Sequence, residues 1–217
     1  MNPGRVVLLH GLAASTGSMT WIQRGLRRAG FGTLNVAYPS RRMKLERLVD
    51  EVHRQVGPFV AGGDGPMHFV GYSLGGLLAR AYIARHRPAA LGRVVLLGTP
   101  NGGSELADLL GGVGAYQWFF GSVGGQLGTR PDTGLAAVLG VVDYPMGVVA
   151  GNRAWDLLGW AIIPGPNDGR VSVARTRVAG MTEHLVLPVG HTFMVISPAV
   201  LRATTGFLQL GRFGIGG

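Results

Sequence analysis

Through the first hundred residues, short apolar runs alternate with stretches in which apolar residues recur every three or four positions. The runs Arg5 to Leu9, Thr33 to Ala37, Met67 to Val70 and Arg93 to Leu97 predict strands. Between them, Trp21, Ile22, Leu26 and Ala29, then Leu45, Leu48, Val49, Val52 and Val56, then Leu74, Leu77, Leu78, Ala81 and Tyr82 keep the spacing of one helical face. Continuous apolar strands separated by helices imply crossover units, and hence a mostly parallel central sheet with helices on both faces. The predicted class is α/β. Ligands of such sheets bind beyond the carboxyl ends of the strands, so chemistry is sought there.

After Leu97 the alternation loosens, through Gly98 to Ser104 and a short helix, into the glycine-rich segment Gly111 to Gly128 with its rings Tyr116, Trp118, Phe119 and Phe120. Regularity returns in two further strands, Gly147 to Ala150 and Leu185 to Val189, and a closing helix, Pro198 to Leu210. No repeat or linker interrupts the chain, and 217 residues suit one core. A single domain over 1–217 with one active site is expected. Within it, 111–130 reads either as a short lid or flap, or as a surface loop whose rings pack onto the core.

Composition sharpens this. Hydrophobic residues make up 47% against 14% charged, with mean hydropathy +0.27, as suits a buried parallel sheet. The absence of cysteine excludes a thiol nucleophile, disulfides and cysteine metal sites. The formal charge of +9 comes from 20 basic and 11 acidic residues. The basic residues are scattered, apart from the cluster Arg41, Arg42, Lys44 and Arg47, and no aromatic interleaving accompanies them. They predict a solvated basic surface, not a nucleic-acid partner. Leu109 to Thr129 is uncharged and long enough to cross a bilayer, but its seven glycines oppose a stable spanning helix, so no stable membrane insertion is expected. No signal peptide is visible ahead of Val6 to Leu9, and the expectation is a cytoplasmic location or one that the sequence leaves open.

The strand Met67 to Val70, then Gly71-Tyr72-Ser73-Leu74-Gly75-Gly76, then a helical run, is the context that a G-x-S-x-G nucleophile elbow requires. Ser73 is the candidate nucleophile, and Gly71 and Gly75 remove side chains where backbones crowd. A serine hydroxyl needs an imidazole to take its proton and a carboxylate to orient that imidazole. Of six histidines, His191 follows the strand Leu185 to Val189. His184 precedes that strand, His68 points from within one, His53 and His86 lie on helices, and His10 braces the loop after the first strand. His191 is therefore the candidate base. The acid should fall between nucleophile and base in the chain. Asp132 and Asp143 precede the strand near Gly147, and Asp156 reads as helical. Asp168, in the rigid loop Pro164-Gly165-Pro166-Asn167-Asp168-Gly169, is favoured over Asp156, although Asn-Asp-Gly is also a common turn sequence. The oxyanion donors expected are the amides of Leu74 and Leu12.

These residues resemble the lipase-like α/β-hydrolases, small bacterial esterases and lipases. The likeness runs along nearly the whole chain. It rests on His10-Gly11-Leu12, Gly71 to Gly76, Leu97-Gly98-Thr99-Pro100-Asn101-Gly102-Gly103-Ser104, Gln126-Leu127-Gly128-Thr129, Gly165 to Gly169 and Gly190-His191-Thr192. The last two segments strengthen the assignment of Asp168 and His191. The resemblance implies an α/β-hydrolase fold and hydrolysis of carboxylic esters through an acyl-enzyme. No metal or organic cofactor is implied, and the substrate would be an ester or lipid-like molecule, at an interface or on a polymer. The chain is small for this group, which implies a minimal or absent cap domain and an open cleft. Acyltransferases and thioesterases use the same triad, and a non-catalytic ligand-binding relative would share the scaffold.

Overall fold

The computed structural model describes residues 3–103, 137–155 and 163–214. Six strands, β1 (Arg5–Leu9), β2 (Gly32–Asn35), β3 (Met67–Tyr72), β4 (Leu91–Leu97), β5 (Met146–Gly151) and β6 (Glu183–Leu187), form one sheet in the order β2-β1-β3-β4-β5-β6. Every pairing between them is parallel. The helices are α1 (Thr16–Arg28), α2 (Leu45–Ala61), α3 (Leu74–His86), the short α4 (Val173–Thr176) and α5 (Pro198–Leu210). Strand order reverses direction at β1, because β2 lies on one side of it and β3 on the other. The crevice above β1 and β3 is therefore the topological switch point where such sheets bind ligands.

The pleat sorts the apolar strand residues onto two faces. Val7, Leu9, Phe69, Val94, Leu96 and Val148 join the apolar sides of α2 and α3 in one core. Val6, Leu8, Val70, Val95, Leu97 and Val149 join those of α1 and α5 in the other. Each fully buried side chain of this size stabilises the fold by about 1.5–3 kcal/mol. α5 starts where Ser197 accepts a hydrogen bond from the Val200 amide ahead of Pro198, and stops at Gly211 with φ 76°. α3 differs from the one-sided helix that its spacing predicts. It is buried without a break from Leu74 to Ile83, and its small residues Gly75, Gly76, Ala79 and Ala81 allow close approach on every side.

The last strand is shifted towards the amino terminus relative to the apolar run Leu185 to Val189. Pro188 has no N–H for the ladder, so β6 closes at Leu187, and the Val189 amide turns back to the Leu187 carbonyl. His184 consequently lies inside β6, paired in register with Val148, rather than before the strand. β2 likewise ends at Asn35 rather than Ala37. Among the described residues no cap domain stands apart from the sheet, no helix is long and apolar enough to cross a membrane, and no group of acidic or histidine side chains forms a metal cluster. The lid or flap segment 111–130, Asp132 and Asp156 lie outside the described residues.

Two fully buried histidines tie stability to pH. His68 donates through Nε2–H to the Pro3 carbonyl and accepts the Arg93 amide at Nδ1, so the neutral ring is satisfied on both sides. His10 stacks on Tyr38 and donates from Nδ1 to the Gly11 carbonyl. Burial lowers the pKa of both rings from the ordinary 6.5. Below that value the unfolded chain takes up protons that the folded chain refuses, so stability is fully present above pH 6.5 and declines as the pH falls. Thermal melts should give a nearly constant Tm from pH 8 to 7 and a falling Tm from pH 6.5 to 5.5. A flat profile through the lower window would mean that neither ring is held neutral.

Candidate active site

Ser73 occupies the single residue between β3 and α3, with φ 54° and ψ −121°, a combination that side-chain-bearing residues rarely adopt. Such strain costs about 1–3 kcal/mol and persists only where the surroundings over-determine it. Here the Ser73 amide is fixed to the Leu97 carbonyl at 2.8 Å, and the Ser73 carbonyl accepts the Gly76 amide at 3.0 Å. The flanking glycines have no room for a side chain. A Cβ on Gly71 would lie 2.5 Å from the Gly75 carbonyl oxygen, and one on Gly75 would lie 2.2 Å from that of Leu9. The turn thus brings α3 directly onto the end of β1, and Ser73 stays half-exposed among buried neighbours.

The other candidates converge from β5 and β6. Asn167 braces its loop through Nδ2 to the carbonyls of Ile163 and Gly165, and through Oδ1 to the Gly169 amide. This presents Asp168, whose Oδ1 accepts the amides of Arg170 at 2.9 Å and Val171 at 2.8 Å. Its other oxygen, Oδ2, accepts a 2.7 Å hydrogen bond from His191 Nδ1, and the two backbones are joined where the His191 amide donates to the Asp168 carbonyl at 2.8 Å. Because a carboxylate only accepts, the neutral ring carries its proton on Nδ1 and leaves a lone pair on Nε2. The carboxylate is sealed at 1% side-chain exposure and the imidazole is open at 10%.

Gly98, with φ +55°, joins the two halves. It follows Leu97, whose carbonyl holds Ser73, and a Cβ there would lie 3.1 Å from His191 Nδ1 and 3.2 Å from Asp168 Oδ2. Tyr72, the residue before Ser73, packs its ring at 5.1 Å from that of His191, tilted by 39°, and donates its hydroxyl to the His191 carbonyl at 3.1 Å. Burial and the Asp168 charge raise the Tyr72 pKa, which keeps that hydroxyl a donor. Ser73, His191 and Asp168 therefore share the carboxyl edge of β3 to β6. Ser73 Oγ and His191 make no hydrogen bond with each other in this structure, and such bonds are commonly loose without substrate.

The remaining histidines are engaged elsewhere. His53 and His86 stack on each other at 3.9 Å, and His184 Nε2 meets the Thr176 hydroxyl at 2.8 Å. Among the described residues His191 is the one histidine within ion-pair distance of a carboxylate. Asp143 is held at the surface by Arg87. The Leu74 amide opens α3, where no intrahelical acceptor exists. The Leu12 amide lies in the loop after β1, close to the serine, since a Cβ on the adjacent Gly11 would stand 3.4 Å from Ser73 Cβ. Neither amide has an acceptor among the described residues.

Three supporting residues escaped the sequence. Ala13 takes φ 56° and donates its amide to the buried Ser40 Oγ at 3.1 Å, which shapes the loop that carries Leu12. Alanine gives no signal of a left-handed conformation. Tyr72 was a variable letter inside the motif. Gly98 did have a signal, as a glycine directly at a strand end.

The comparisons with known proteins agree on architecture. No curated protein matches the chain. The mature lipase BlEst2 of Bacillus licheniformis superposes with a TM-score of 0.70 at 20% identity, over 96% of this chain and 91% of that one. A monoacylglycerol lipase of Paleococcus ferrophilus gives 0.63 at 18% identity, over 97% and 95%. The phospholipase PlaB of Legionella pneumophila gives 0.70 at 16% identity, over 96% of this chain but 60% of its own. At such identities these likenesses speak for the fold alone. The model of the alpha/beta hydrolase fold family matches residues 4–124, more than half of the sequence, and the chain belongs to that family.

Proposed function

We propose that the protein is a serine hydrolase of carboxylic esters, with Ser73 as nucleophile, His191 as general base and Asp168 as the acid that orients it. The observation that carries this reading is the strained Ser73 turn on the same sheet edge as the sealed Asp168–His191 pair. In this mechanism Ser73 Oγ attacks the ester carbonyl as His191 Nε2 takes its proton, and Asp168 stabilises the imidazolium that results. The oxygen of the tetrahedral intermediate gains negative charge, which the Leu12 and Leu74 amides meet without reorganising. As the carbon–oxygen bond to the leaving group breaks, His191 returns the proton to the departing alkoxide. Water then enters by the same proton route, and the acid is released from Ser73. The fold's lipase neighbours make an ester the first substrate class to test.

A fluorophosphonate probe should label the folded protein once, at Ser73, and p-nitrophenyl esters from acetate to decanoate should release nitrophenolate. Absence of both labelling and turnover would leave a ligand-binding scaffold as the reading of this site.

A further inference from the structure

We propose that the ester substrate of the hydrolase reading above carries an anionic group, a carboxylate or a phosphate monoester, and that this group binds between the oxyanion loop and Arg42. The place is a cavity of about 560 Å³ lined by Ala13, Ala14, Tyr38, Pro39, Ser40, Arg41 and Arg42. Its wall is the chain that follows Leu12. With Gly11 against Ser73, and about 3.8 Å between successive Cα atoms, the cavity begins roughly 10 Å from the serine. At about 1.2 Å per bond of extended chain, a substituent up to about eight bonds from the carbonyl reaches it.

The cavity is built rather than incidental. Its floor residues, Tyr38 and Ser40, are 7% and 3% exposed, and they hold the loop, Ser40 through the Ala13 amide and Tyr38 through the His10 carbonyl. None of the described lining residues is acidic. Arg85 and Arg87 are each paired with a carboxylate, Asp50 and Asp143, whereas Arg42 has no acceptor among the described residues. A guanidinium fork matches a carboxylate or phosphate better than a neutral group.

The opposite flank, which Arg170 also lines, adds aromatic surface. Sheet order puts the cationic cavity over β1 and β2, Ser73 over β3, and the exposed rings Trp155 (73%) and Phe193 (52%) after β5 and β6. These rings meet edge to face at 6.4 Å, beside His191. An ester laid across the serine meets positive charge at one end and aromatic surface at the other, which suits an acyl chain joined to an acidic group.

The test has an activity arm and a binding arm. The activity arm compares 4-nitrophenyl hydrogen sebacate with 4-nitrophenyl decanoate, and lysophosphatidate with monoacylglycerol, for the wild-type protein and Arg42→Glu. Wild type should prefer the anionic member of at least one pair, which also tells carboxylate from lipid phosphate. Arg42→Glu should lower that anionic-to-neutral ratio of kcat/KM at least tenfold, and 0.5 M salt should weaken the preference. Equal ratios in the two proteins, or no anionic preference in either pair, would overturn the proposal. In the binding arm, calorimetry on Ser73→Ala with monomethyl glutarate and with butyl phosphate should give saturable binding that Arg42→Glu abolishes. Arg42-dependent binding without hydrolysis of any ester supports the anion site and sinks only the hydrolase reading. Binding that ignores Arg42 overturns the site itself.

Discussion

Replacing Ser73 by alanine should reduce kcat for p-nitrophenyl butyrate by about 10⁶, the scale on which loss of a triad nucleophile acts. The Tm should stay within a degree or two of the wild type. Alanine bears the same Cβ at φ 54° as serine does, and no hydrogen bond that holds the turn uses Oγ, because the bonds to Leu97 and Gly76 are made by the backbone. Ser73→Gly separates chemistry from strain. It should be equally inactive yet no less stable than Ser73→Ala, since relief of a left-handed conformation, about 1–2 kcal/mol, offsets the usual glycine cost of about 0.5–1 kcal/mol. Circular dichroism melts and initial rates on the three proteins decide the matter. An alanine variant that keeps more than a few per cent of the activity removes Ser73 from the mechanism, and one that loses 10 °C in Tm shows that the hydroxyl is structural.

How far the chain was legible depended on how local each signal is. The parallel sheet could be read because β1, β3 and β4 are apolar on both faces and alternate with helical spacing, so pattern and burial say the same thing. The end of β6 was misjudged because apolar character continues through Pro188 and Val189 while the ladder cannot. His184 was therefore assigned to the wrong side of the strand's start, although it still lies far from the carboxyl edge. The candidate site was legible where backbone sterics require glycine, at Gly71 and Gly75, and where a residue follows a strand end, as His191 does. The brace from Ser40 to Ala13 was not, since it joins positions 27 residues apart and leaves no composition mark. Nor did the sequence show that the basic turn Arg41-Arg42 stands against the loop after β1. That contact is made by the pairing of β1 with β2, which a single sequence does not reveal.

Asp168→Asn should lower kcat by up to ~10⁴ with little change in stability. Two amides, from Arg170 and Val171, point at Oδ1, so an asparagine there must keep its carbonyl oxygen towards them; turned the other way, its NH₂ would face two donors. The NH₂ group is thereby directed at His191 Nδ1, which must become an acceptor. The ring's proton then moves to Nε2, the atom that has to take the proton of Ser73, and the base is blocked by its own tautomer. Asp168→Ala is the contrasting variant. It removes the Oδ1 anchor from the buried Val171 amide and the part-buried Arg170 amide as well, so it should cost about 1–3 kcal/mol for the buried amide left without a partner and lower Tm measurably. Rates and melts for both, alongside Asp156→Asn, assign the acid. Should Asp168→Asn keep near-wild-type rates while Asp156→Asn loses them, Asp168 is a turn aspartate that happens to hold His191, and the acid of the mechanism is Asp156.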